Sequence, residues 1–315
     1  MCTFNRGALL CDAIASVLSQ SSPSPAFELI VVDNRSTDST REIVADVAAR
    51  DHRVRYVFEP RQGLSYARNT GIATARASLI AFTDDDVRVG ADWTAEIVRG
   101  FRDHPEVGMI GGRVLPVWPS PPPAWLTTDH WAPLALADHG NEPIAVTGER
   151  PICLVGANLT VRRTVFDAIG GFATSLQRVR DAIGSLEDHD FLLRALDAGF
   201  VGRYEPRIVV HAEIQPSRLE RAYHRRWHFG HGHFNALLRS PQLERSARGA
   251  LFGVPAHLYR QAATDFFALL RATARRDTAR AFHHELRLRF FAGFFLTRRR
   301  QPAEAMEARQ TGLRA

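Results

Sequence analysis

The sequence predicts an α/β protein with a doubly wound, mainly parallel sheet, followed by a helical C-terminal tail. Short apolar runs alternate with amphipathic segments over residues 1–216. Two of these runs, within residues 27–38 and 78–87, end in aspartates, as strands do when their carboxyl ends face a ligand. Charge divides the chain as well, because residues 1–216 carry a net charge of −6 and residues 217–315 one of +12. We therefore predict a sheet domain over 1–216 and a basic helical region over 217–315.

The predicted elements follow from hydrophobic periodicity in chain order. Amphipathic spacing predicts helices at 7–20, 38–50, 64–75, 92–103, 163–169 and 188–198. Apolar and β-branched runs predict strands at 28–32, 54–58, 78–83, 107–115, 152–161 and 208–211. Residues 116–151 are rich in Pro and Trp and have no periodicity, which predicts a long functional loop. Strands separated by helices predict parallel pairing through right-handed crossovers.

Three consecutive aspartates, Asp84, Asp85 and Asp86, directly follow the apolar run of the third predicted strand. Adjacent carboxylates repel one another unless a cation or a hydrogen-bonded ligand offsets their charge. Mg²⁺ and Mn²⁺ favour such oxygen ligands and usually share them with a substrate phosphate. The alternative is an Asp-rich turn with solvated carboxylates. Asp33 ends an earlier strand in the same way, which favours one crevice lined by both strand ends.

Composition restricts the partners and the compartment. All 40 basic residues other than His are Arg, a bias that makes the high pI weak evidence for nucleic-acid binding, and we expect no nucleic-acid partner. The three cysteines match no metal or redox spacing, as is typical of reduced thiols in a cytosolic protein. We find no secretory signal and no run approaching the roughly 18 apolar residues of a membrane span. These features predict a cytoplasmic location.

A basic amphipathic pattern occurs near the C-terminus, over residues 282–300. Leu286, Phe290 and Phe294 recur at helical spacing and are flanked by arginines. Such a helix is typical of a segment that lies on an anionic membrane surface, here the inner face of the cell membrane. The alternative is a helix that packs on the catalytic domain.

Six motifs occur in one order along the chain. They are Asn5-Arg6, VVDNRSTD at 31–38, QGLSYARNTGI at 62–72, FTDDDV at 82–87, GANLTVRR at 156–163 and EDHDFLLRA at 187–195. Together they resemble the bacterial family 2 glycosyltransferases, which have the nucleotide-sugar-binding GT-A fold, over roughly residues 1–235. The resemblance implies metal-dependent, inverting transfer from a nucleotide-sugar donor to a hydroxyl acceptor, such as a sugar or a lipid-linked sugar, in polysaccharide or glycolipid synthesis. It makes 1–216 the nucleotide-sugar-binding catalytic domain.

The resemblance also implies roles for individual residues. On the donor side, it implies that Thr3, Asn5 and Asp33 line the nucleobase pocket and that Asp84 holds the ribose or an ordered water. The full set of implied nucleotide contacts is Thr3, Asn5, Arg6, Asp33, Arg68, Asn69, Asp84 and Asp85. It implies that Asp86 binds Mn²⁺ or Mg²⁺, with His211 as a further ligand; a buried structural His is the alternative. Asp188 is implied as the general base, with Glu187 orienting the acceptor. The alternative for both acids is complementation of a helix dipole.

Two other functions fit an α/β layout. A sugar-phosphate nucleotidyltransferase needs a Gly-rich loop with Arg and Lys just after the first strand, and nothing in residues 1–20 supplies it. A non-catalytic nucleotide-sugar-binding protein is the other alternative.

The chain departs from the family pattern at its beginning. Family members carry an apolar strand directly before the motif at residues 3–6, whereas here Met1 and Cys2 alone precede it. We therefore predict that this central strand is missing, and we expect the in-frame sequence upstream to encode it. Loss of a central strand would leave two unpaired sheet edges.

Overall fold

The computed structural model describes residues 1–21, 25–176, 183–184, 186–239, 243 and 249–300. The chain forms two compact units. The first comprises Met1–Pro119, Leu134–Val179 and Glu187–Ile214. The second comprises Ser120–Pro133, Arg180–Leu186 and Gln215–Ala315.

A parallel three-stranded sheet begins the first unit. Its strands, in the spatial order β1-β2-β3, are β1 (Cys2–Thr3), β2 (Leu29–Asp33) and β3 (Val54–Phe58). The helices that alternate with them are α1 (Gly7–Leu18), α2 (Thr40–Arg50) and α3 (Leu64–Thr74). All five residues of β2 are buried, as expected for an apolar run with a neighbouring strand on each side.

The first strand is present in short form, contrary to the prediction that it is missing. Cys2 and Thr3 pair in parallel with Val32 and Asp33. Cys2 also forms an isolated parallel bridge with Asp84. This two-residue strand thus lies beside β2, where the family pattern places the first strand, and it contacts the chain just after the third predicted strand.

The second sheet of this unit is mixed. Its strands are β4 (Leu79–Phe82), β5 (Val87–Val89), β6 (Val107–Val117), β7 (Ile144–Val146), β8 (Leu159–Arg162) and β9 (Val201–Glu213). Their order is β4-β8-β6-β9-β5, with β7 also paired to β9. The β6–β9 pair is parallel, and the other pairs are antiparallel. The accompanying helices are α4 (Trp93–Asp103), α5 (Arg163–Ile169) and α6 (Glu187–Asp197).

Three details of this sheet differ from the sequence prediction. The predicted strand over 152–161 is a 3₁₀ turn, Gly156–Asn158, followed by β8. Strand β9 has 13 residues and extends on both sides of the predicted 208–211. Strand β7 lies inside the predicted loop 116–151.

Aromatic side chains fill the core between this sheet and its helices. Phe82 packs edge-on against Phe172, with ring centroids 5.4 Å apart, and Phe172 lies 4.9 Å from Phe191. Phe191 and Tyr204 are fully buried. This packing fixes α6 on the sheet, and α6 carries the predicted catalytic acids at its first turn.

The second unit is built from long helices. Its elements are α7 (Arg221–Leu238), β10 (Ala250–Leu251), β11 (Val254–Pro255), α8 (Ala256–Ala274) and α9 (Thr278–Arg300). Trp125, from the predicted loop, packs edge-on against His224 and Phe282, with centroids 4.9 and 4.8 Å away. None of the helices, so far as the described residues extend, is long and apolar enough to span a membrane.

The membrane prediction for 282–300 needs a correction. Leu286 and Phe294, two of the three residues of the apolar face, are 2% and 0% exposed, and Phe290 is partly buried. This face packs within the helical unit, because α9 lies along α7 and α8. It is therefore unavailable to a lipid surface.

Two glycines allow α7 and α9 to touch backbone to backbone. A Cβ atom at Gly232 would lie 2.0 Å from the carbonyl oxygen of Phe290. A Cβ atom at Gly293 would lie 2.0 Å from the carbonyl oxygen of Phe229. Only glycine fits at either position, since both obstacles are main-chain atoms.

Candidate functional site

The carboxyl ends of the first strands bring several predicted site residues to one edge. Thr3 at the end of β1 is in register with Asp33 at the end of β2. Asp84, which follows β4, is joined to the same edge through its bridge with Cys2. Strand ends of this kind form the ligand crevice of open α/β sheets.

Asp33 is a buried acceptor at this edge. One carboxylate oxygen accepts a hydrogen bond from the backbone N–H of Ser36 at 2.8 Å, and the other accepts from the Tyr56 hydroxyl at 2.8 Å. Burial and the bond to Asp33 raise the pKa of Tyr56 to about 12. Asp33 therefore orders the turn after β2, whatever ligand the crevice takes.

Asn5 holds the same turn from the other side. It adopts a left-handed backbone conformation with φ of 52°, which Asn tolerates better than most residues. Its side-chain oxygen accepts a hydrogen bond from the backbone N–H of Thr37 at 2.7 Å. Its own backbone N–H donates to the Ser36 hydroxyl at 3.0 Å.

Sequence reasoning missed Asn34. Its side-chain amide donates to the carbonyl of Arg61 at 2.7 Å and accepts from the backbone N–H of Gly63 at 2.7 Å. These bonds fix the loop between β3 and α3, the helix that carries Arg68. The available signal was its position directly after Asp33, at a strand end.

An ionic group that we call the Arg6 cluster consists of Arg6, Asp85 and Asp86. One guanidinium nitrogen of Arg6 lies 3.0 Å from Asp85 and 2.5 Å from Asp86. The Arg6 side chain is 29% exposed, whereas both aspartates are buried. Burial opposes the charged form of Arg6, but the three aspartates outweigh it and raise the pKa of Arg6.

Asp85 is the perturbed acid of this cluster. Burial is the main cause, and together with the charge of Asp86 it outweighs the opposing effect of Arg6, raising the pKa of Asp85 to about 6. A carboxyl group with this pKa changes its charge near neutral pH.

The second ionic group, the Arg68 cluster, consists of Arg68, Glu187 and Asp188. Arg68 donates a hydrogen bond to Asp188 and lies 3.5 Å from Glu187. Its guanidinium carbon lies 5.1 Å from the centroid of the Phe172 ring, a cation–π contact. Burial disfavours the charged form of Arg68, but the charges of Asp188, Asp84 and Glu187 outweigh it and raise the pKa of Arg68.

Asp188 is the accessible acid of the Arg68 cluster. Its side chain is 22% exposed, compared with 6% for Glu187. Its second oxygen accepts from the backbone N–H of Gly156 at 3.0 Å. Glu187 is buried beside Arg68 and contributes to this cluster, and its predicted role in orienting the acceptor stays a prediction.

Gly156 makes the Arg68 cluster sterically feasible. A Cβ atom there would lie 2.4 Å from Arg68 and 2.6 Å from Asp188. A residue with a side chain would therefore displace one of the two charged groups.

The Asn69 side chain is hydrogen-bonded to the backbone of Phe172. Its amide oxygen accepts from the backbone N–H of Phe172 at 2.8 Å, and its amide nitrogen donates to the carbonyl of the same residue at 2.9 Å. This clamp holds Phe172 over Arg68, and the predicted nucleotide contact of Asn69 stays a prediction.

The predicted metal ligands do not form a metal site in this arrangement. The Arg6 guanidinium lies 2.5 Å from Asp86 and offsets the charge of its carboxylate. His211 is exposed within β9, in register with Arg88 of β5 and Leu115 of β6. Over the ranges that the structure describes, no three His, Cys, Asp or Glu side chains are grouped to hold a metal ion.

Comparisons with known proteins identify the family of this chain. The family described as glycosyl transferase family 2 matches residues 1–170. A glucosyl-dolichyl phosphate glucuronosyltransferase of Haloferax volcanii is 26% identical over 183 residues, which cover 58% of this chain and 57% of that protein. The glycosyltransferase AglE of the same organism is 28% identical over 201 residues, covering 62% of this chain and 60% of that protein. The chain thus spans less than two thirds of the length of these curated relatives.

A solved structure shows the same fold. The mannosyltransferase PcManGT of Pyrobaculum calidifontis, in complex with GDP-Man and Mn²⁺, has a TM-score of 0.54 at 18% identity, covering 99% of this chain and 78% of that chain. At this identity the likeness shows the fold alone, which is of the GT-A type, with C-terminal helices.

Proposed function

The chain belongs to glycosyl transferase family 2, and from that premise we propose that it transfers a sugar from a nucleotide-sugar donor to a hydroxyl acceptor. The observation that carries the proposal is the Asp188 carboxylate. It is oriented by Arg68 and by the backbone of Gly156, yet it remains open to solvent. An acid held in place and reachable from outside is what a general base requires.

The proposed chemistry is a single displacement. Asp188 accepts the proton of the acceptor hydroxyl while the hydroxyl oxygen attacks the anomeric carbon of the donor sugar. The bond from that carbon to the diphosphate breaks, the nucleoside diphosphate leaves with the electron pair, and the anomeric configuration inverts. Arg68 keeps Asp188 in one orientation and offsets its negative charge.

The donor half of the proposal rests on the strand ends. Thr3, Asp33 and Asp84 lie at the edge where α/β folds bind ligands, inside the part of the chain that matches the family. The structural neighbour was solved with GDP-Man, which supports a nucleotide-sugar donor.

The acceptor half is supported by a relative. The Haloferax enzyme acts, by its name, on a dolichyl phosphate carrying glucose, and this favours a lipid-linked sugar as acceptor. Sugar transfer in the cytoplasm, at the inner face of the cell membrane, would fit such an acceptor.

Metal dependence is a separate part of the proposal. Mn²⁺ in the mannosyltransferase complex supports Mn²⁺ or Mg²⁺ here, with Asp86 as the ligand predicted from the family pattern. Because the described arrangement does not fit a metal, we derive no step through one. Asp86→Ala should abolish transfer with an unchanged circular dichroism spectrum, and transfer that survives this substitution or excess chelator would exclude the metal.

Asp188→Asn tests the proposed base. The substitution keeps size and removes basicity, so turnover should fall about 10²- to 10⁴-fold while donor affinity stays. Turnover is measured as nucleotide release from a panel of UDP-, GDP- and dTDP-sugars, and donor affinity by calorimetry.

Asp190→Asn is the matched control. Asp190 lies in the same helical turn and pairs with Arg194, so its loss should cost only about 0.5 kcal/mol of stability and leave turnover near that of the wild type. If Asp188→Asn loses donor binding as strongly as turnover, Asp188 belongs to the donor site and the proposed mechanism is wrong.

A further inference from the structure

The second unit exposes an apolar surface on the segment that follows α7. Phe252, at the tip of the β10–β11 hairpin, is 71% exposed, and Leu251 beside it is exposed as well. Phe267 on α8 is 67% exposed, with Phe266 and Leu270 exposed near it. Aromatic side chains of this size are normally removed from water.

The hairpin holds Phe252 at a position that disfavours it. Phe252 and Gly253 have φ values of 52° and 70°, the left-handed pair of a two-residue hairpin turn. Gly, Asn and Asp suit such a position, whereas a bulky aromatic residue is strained there. An exposed ring at a strained position adds little to the fold, which points to an external partner.

The hairpin is attached to α8. The Tyr259 hydroxyl donates to the carbonyl of Leu251 at 3.1 Å, and Pro255 at the end of β11 is the N-cap of α8. The exposed ring at the hairpin tip and the helix therefore belong to one continuous piece of structure.

The outward side of α8 is basic as well as apolar. The exposed residues of this side recur at helical spacing and are Arg260, Ala263, Thr264, Phe267, Leu270, Arg271 and Ala274. Arg275 and Arg276 extend the positive charge beyond the end of the helix. We call Leu251, Phe252 and these residues of α8 the outer patch.

Within the described stretch 249–277, basic residues outnumber acidic ones. The acids there are Asp265, which is buried and bound to Arg287 at 2.7 Å and to His284 at 2.8 Å, and Asp277, which pairs with Arg280. Along α8, the outer patch thus places Phe267 and Leu270 between Arg260 and Arg271. This chemistry matches the interface of an anionic lipid bilayer, where rings enter the acyl boundary and arginines meet the headgroups.

We propose that the outer patch binds the surface of an anionic lipid membrane. A second copy of the chain is a poorer occupant, because a symmetric contact through this patch would set Arg260 and Arg271 of one copy close to those of the other. The proposal does not depend on the glycosyl transfer proposed above, since membrane binding is measured without donor or acceptor.

Vesicle sedimentation of the full chain tests the proposal. We expect binding to vesicles of phosphatidylcholine mixed with phosphatidylglycerol, weaker binding to phosphatidylcholine alone, and loss of the difference in high salt. Phe252→Gly and Phe267→Ser should each weaken binding to the mixed vesicles about tenfold, because each removes a ring that would enter the bilayer. Arg260→Gln with Arg271→Gln should weaken binding to the mixed vesicles and leave binding to phosphatidylcholine unchanged.

Controls separate the patch from general effects. Phe58→Ser removes a ring that is also half exposed but lies in the first unit, and it should leave vesicle binding unchanged. Phe252→Gly should melt at or above the wild-type temperature, since glycine relieves the positive φ. A folded Phe252→Gly variant that loses vesicle binding therefore separates binding from stability.

Three results would overturn the proposal. One is a wild-type chain that does not sediment with the mixed vesicles. Another is a pair of Phe variants that binds them as well as Phe58→Ser does. The third is a concentration-dependent dimer, formed without lipid, that Phe252→Gly and Phe267→Ser abolish, which would assign the patch to a second copy.

Discussion

The Arg6 and Arg68 clusters have the same composition, one guanidinium facing two carboxylates, but they differ in access to solvent. The Arg68 side chain is 4% exposed and lies against the Phe172 ring, whereas the Arg6 side chain is 29% exposed. Separating buried charges costs far more than separating charges that water can reach. We therefore expect the Arg68 cluster to be the more costly of the two to disrupt, and the Arg6 cluster to be the one in which a metal ion can replace the guanidinium.

Removing the buried cation should have the largest effect. Arg68→Met keeps most of the side-chain volume but leaves Glu187 and Asp188 without their shared positive charge. Loss of one partner from a buried ionic group typically costs about 3 to 5 kcal/mol of unfolding free energy. Urea denaturation followed by circular dichroism measures this loss.

Arg102→Gln is the control for this substitution. Arg102 pairs with Asp103, but its side chain is 70% exposed, so we expect a change within about 0.5 kcal/mol. Equal losses in the two variants would show that burial does not distinguish the Arg68 cluster.

The free energy of unfolding should depend on pH because Asp85 in the Arg6 cluster is buried and has a raised pKa. The folded chain keeps the Asp85 proton up to its pKa of about 6, while the unfolded chain releases it near the ordinary aspartate pKa of 3.8. The folded state thus binds more protons in this window, and the contribution of Asp85 to the free energy of unfolding falls as pH rises through it. A shift of this size corresponds to about 2 to 3 kcal/mol.

Asp85→Asn isolates this contribution. The difference in unfolding free energy between the variant and the wild type should grow in favour of the variant from about pH 4 to about pH 7. A difference that is constant with pH would mean that Asp85 titrates alike in the folded and unfolded chains.

Crowding the Arg68 cluster should have a smaller effect than removing its cation. Gly156→Ala places a methyl group where Arg68 and Asp188 now lie, and overpacking of this kind costs about 1 to 2 kcal/mol. We expect transfer to fall as well, because Asp188 loses its backbone donor geometry. Gly148→Ala is the matched control, since nothing lies within 4 Å of the added atom. Unchanged stability in both variants would contradict the close approach of Arg68 and Asp188 to Gly156.

Removing the Arg6 guanidinium should have the smallest effect, and it should increase an affinity where the other substitutions cause losses. Arg6→Gln frees Asp85 and Asp86 from the guanidinium, so Mn²⁺ should bind about tenfold more tightly in the absence of nucleotide. Calorimetry measures this affinity, with Arg88→Gln as a control in a more exposed pair. If neither Arg6→Gln nor Asp86→Ala changes Mn²⁺ binding, the acidic triplet is not the metal site.

The elements that could be predicted are those whose own residues form a long apolar or amphipathic pattern. The run Leu29–Asp33 is apolar at four consecutive positions, and it forms a strand at the predicted place. Val87–Val89 and Ile144–Val146 are three-residue strands that exist because β9 pairs with them, so local sequence could not reveal them. Strand β9 includes Arg203, Glu205 and Arg207, which hid its length from a search for apolar runs.

The sequence indicated candidate site residues one at a time and not as pairs. Asp84 follows a predicted strand, and the family resemblance implied Asp188. The contact between Arg68 of α3 and Asp188 of α6 joins residues 120 positions apart, which no local pattern encodes. The same holds for the contacts of Arg6 with Asp85 and Asp86, while the donor contact that the family resemblance implies for Arg6 stays a prediction.

The crossing of α7 and α9 limits how this protein can recombine with its relatives. Gly232 and Gly293 each face a main-chain carbonyl of the opposite helix, at a position where any Cβ would lie 2.0 Å from that oxygen. Each helix therefore accepts only a partner that keeps the same close approach. A chimera with its breakpoint in the hairpin or in α8 would inherit the two glycines from different parents, so such breakpoints are productive only between parents that both conserve the pair. Breakpoints before α7 would carry the crossing over intact.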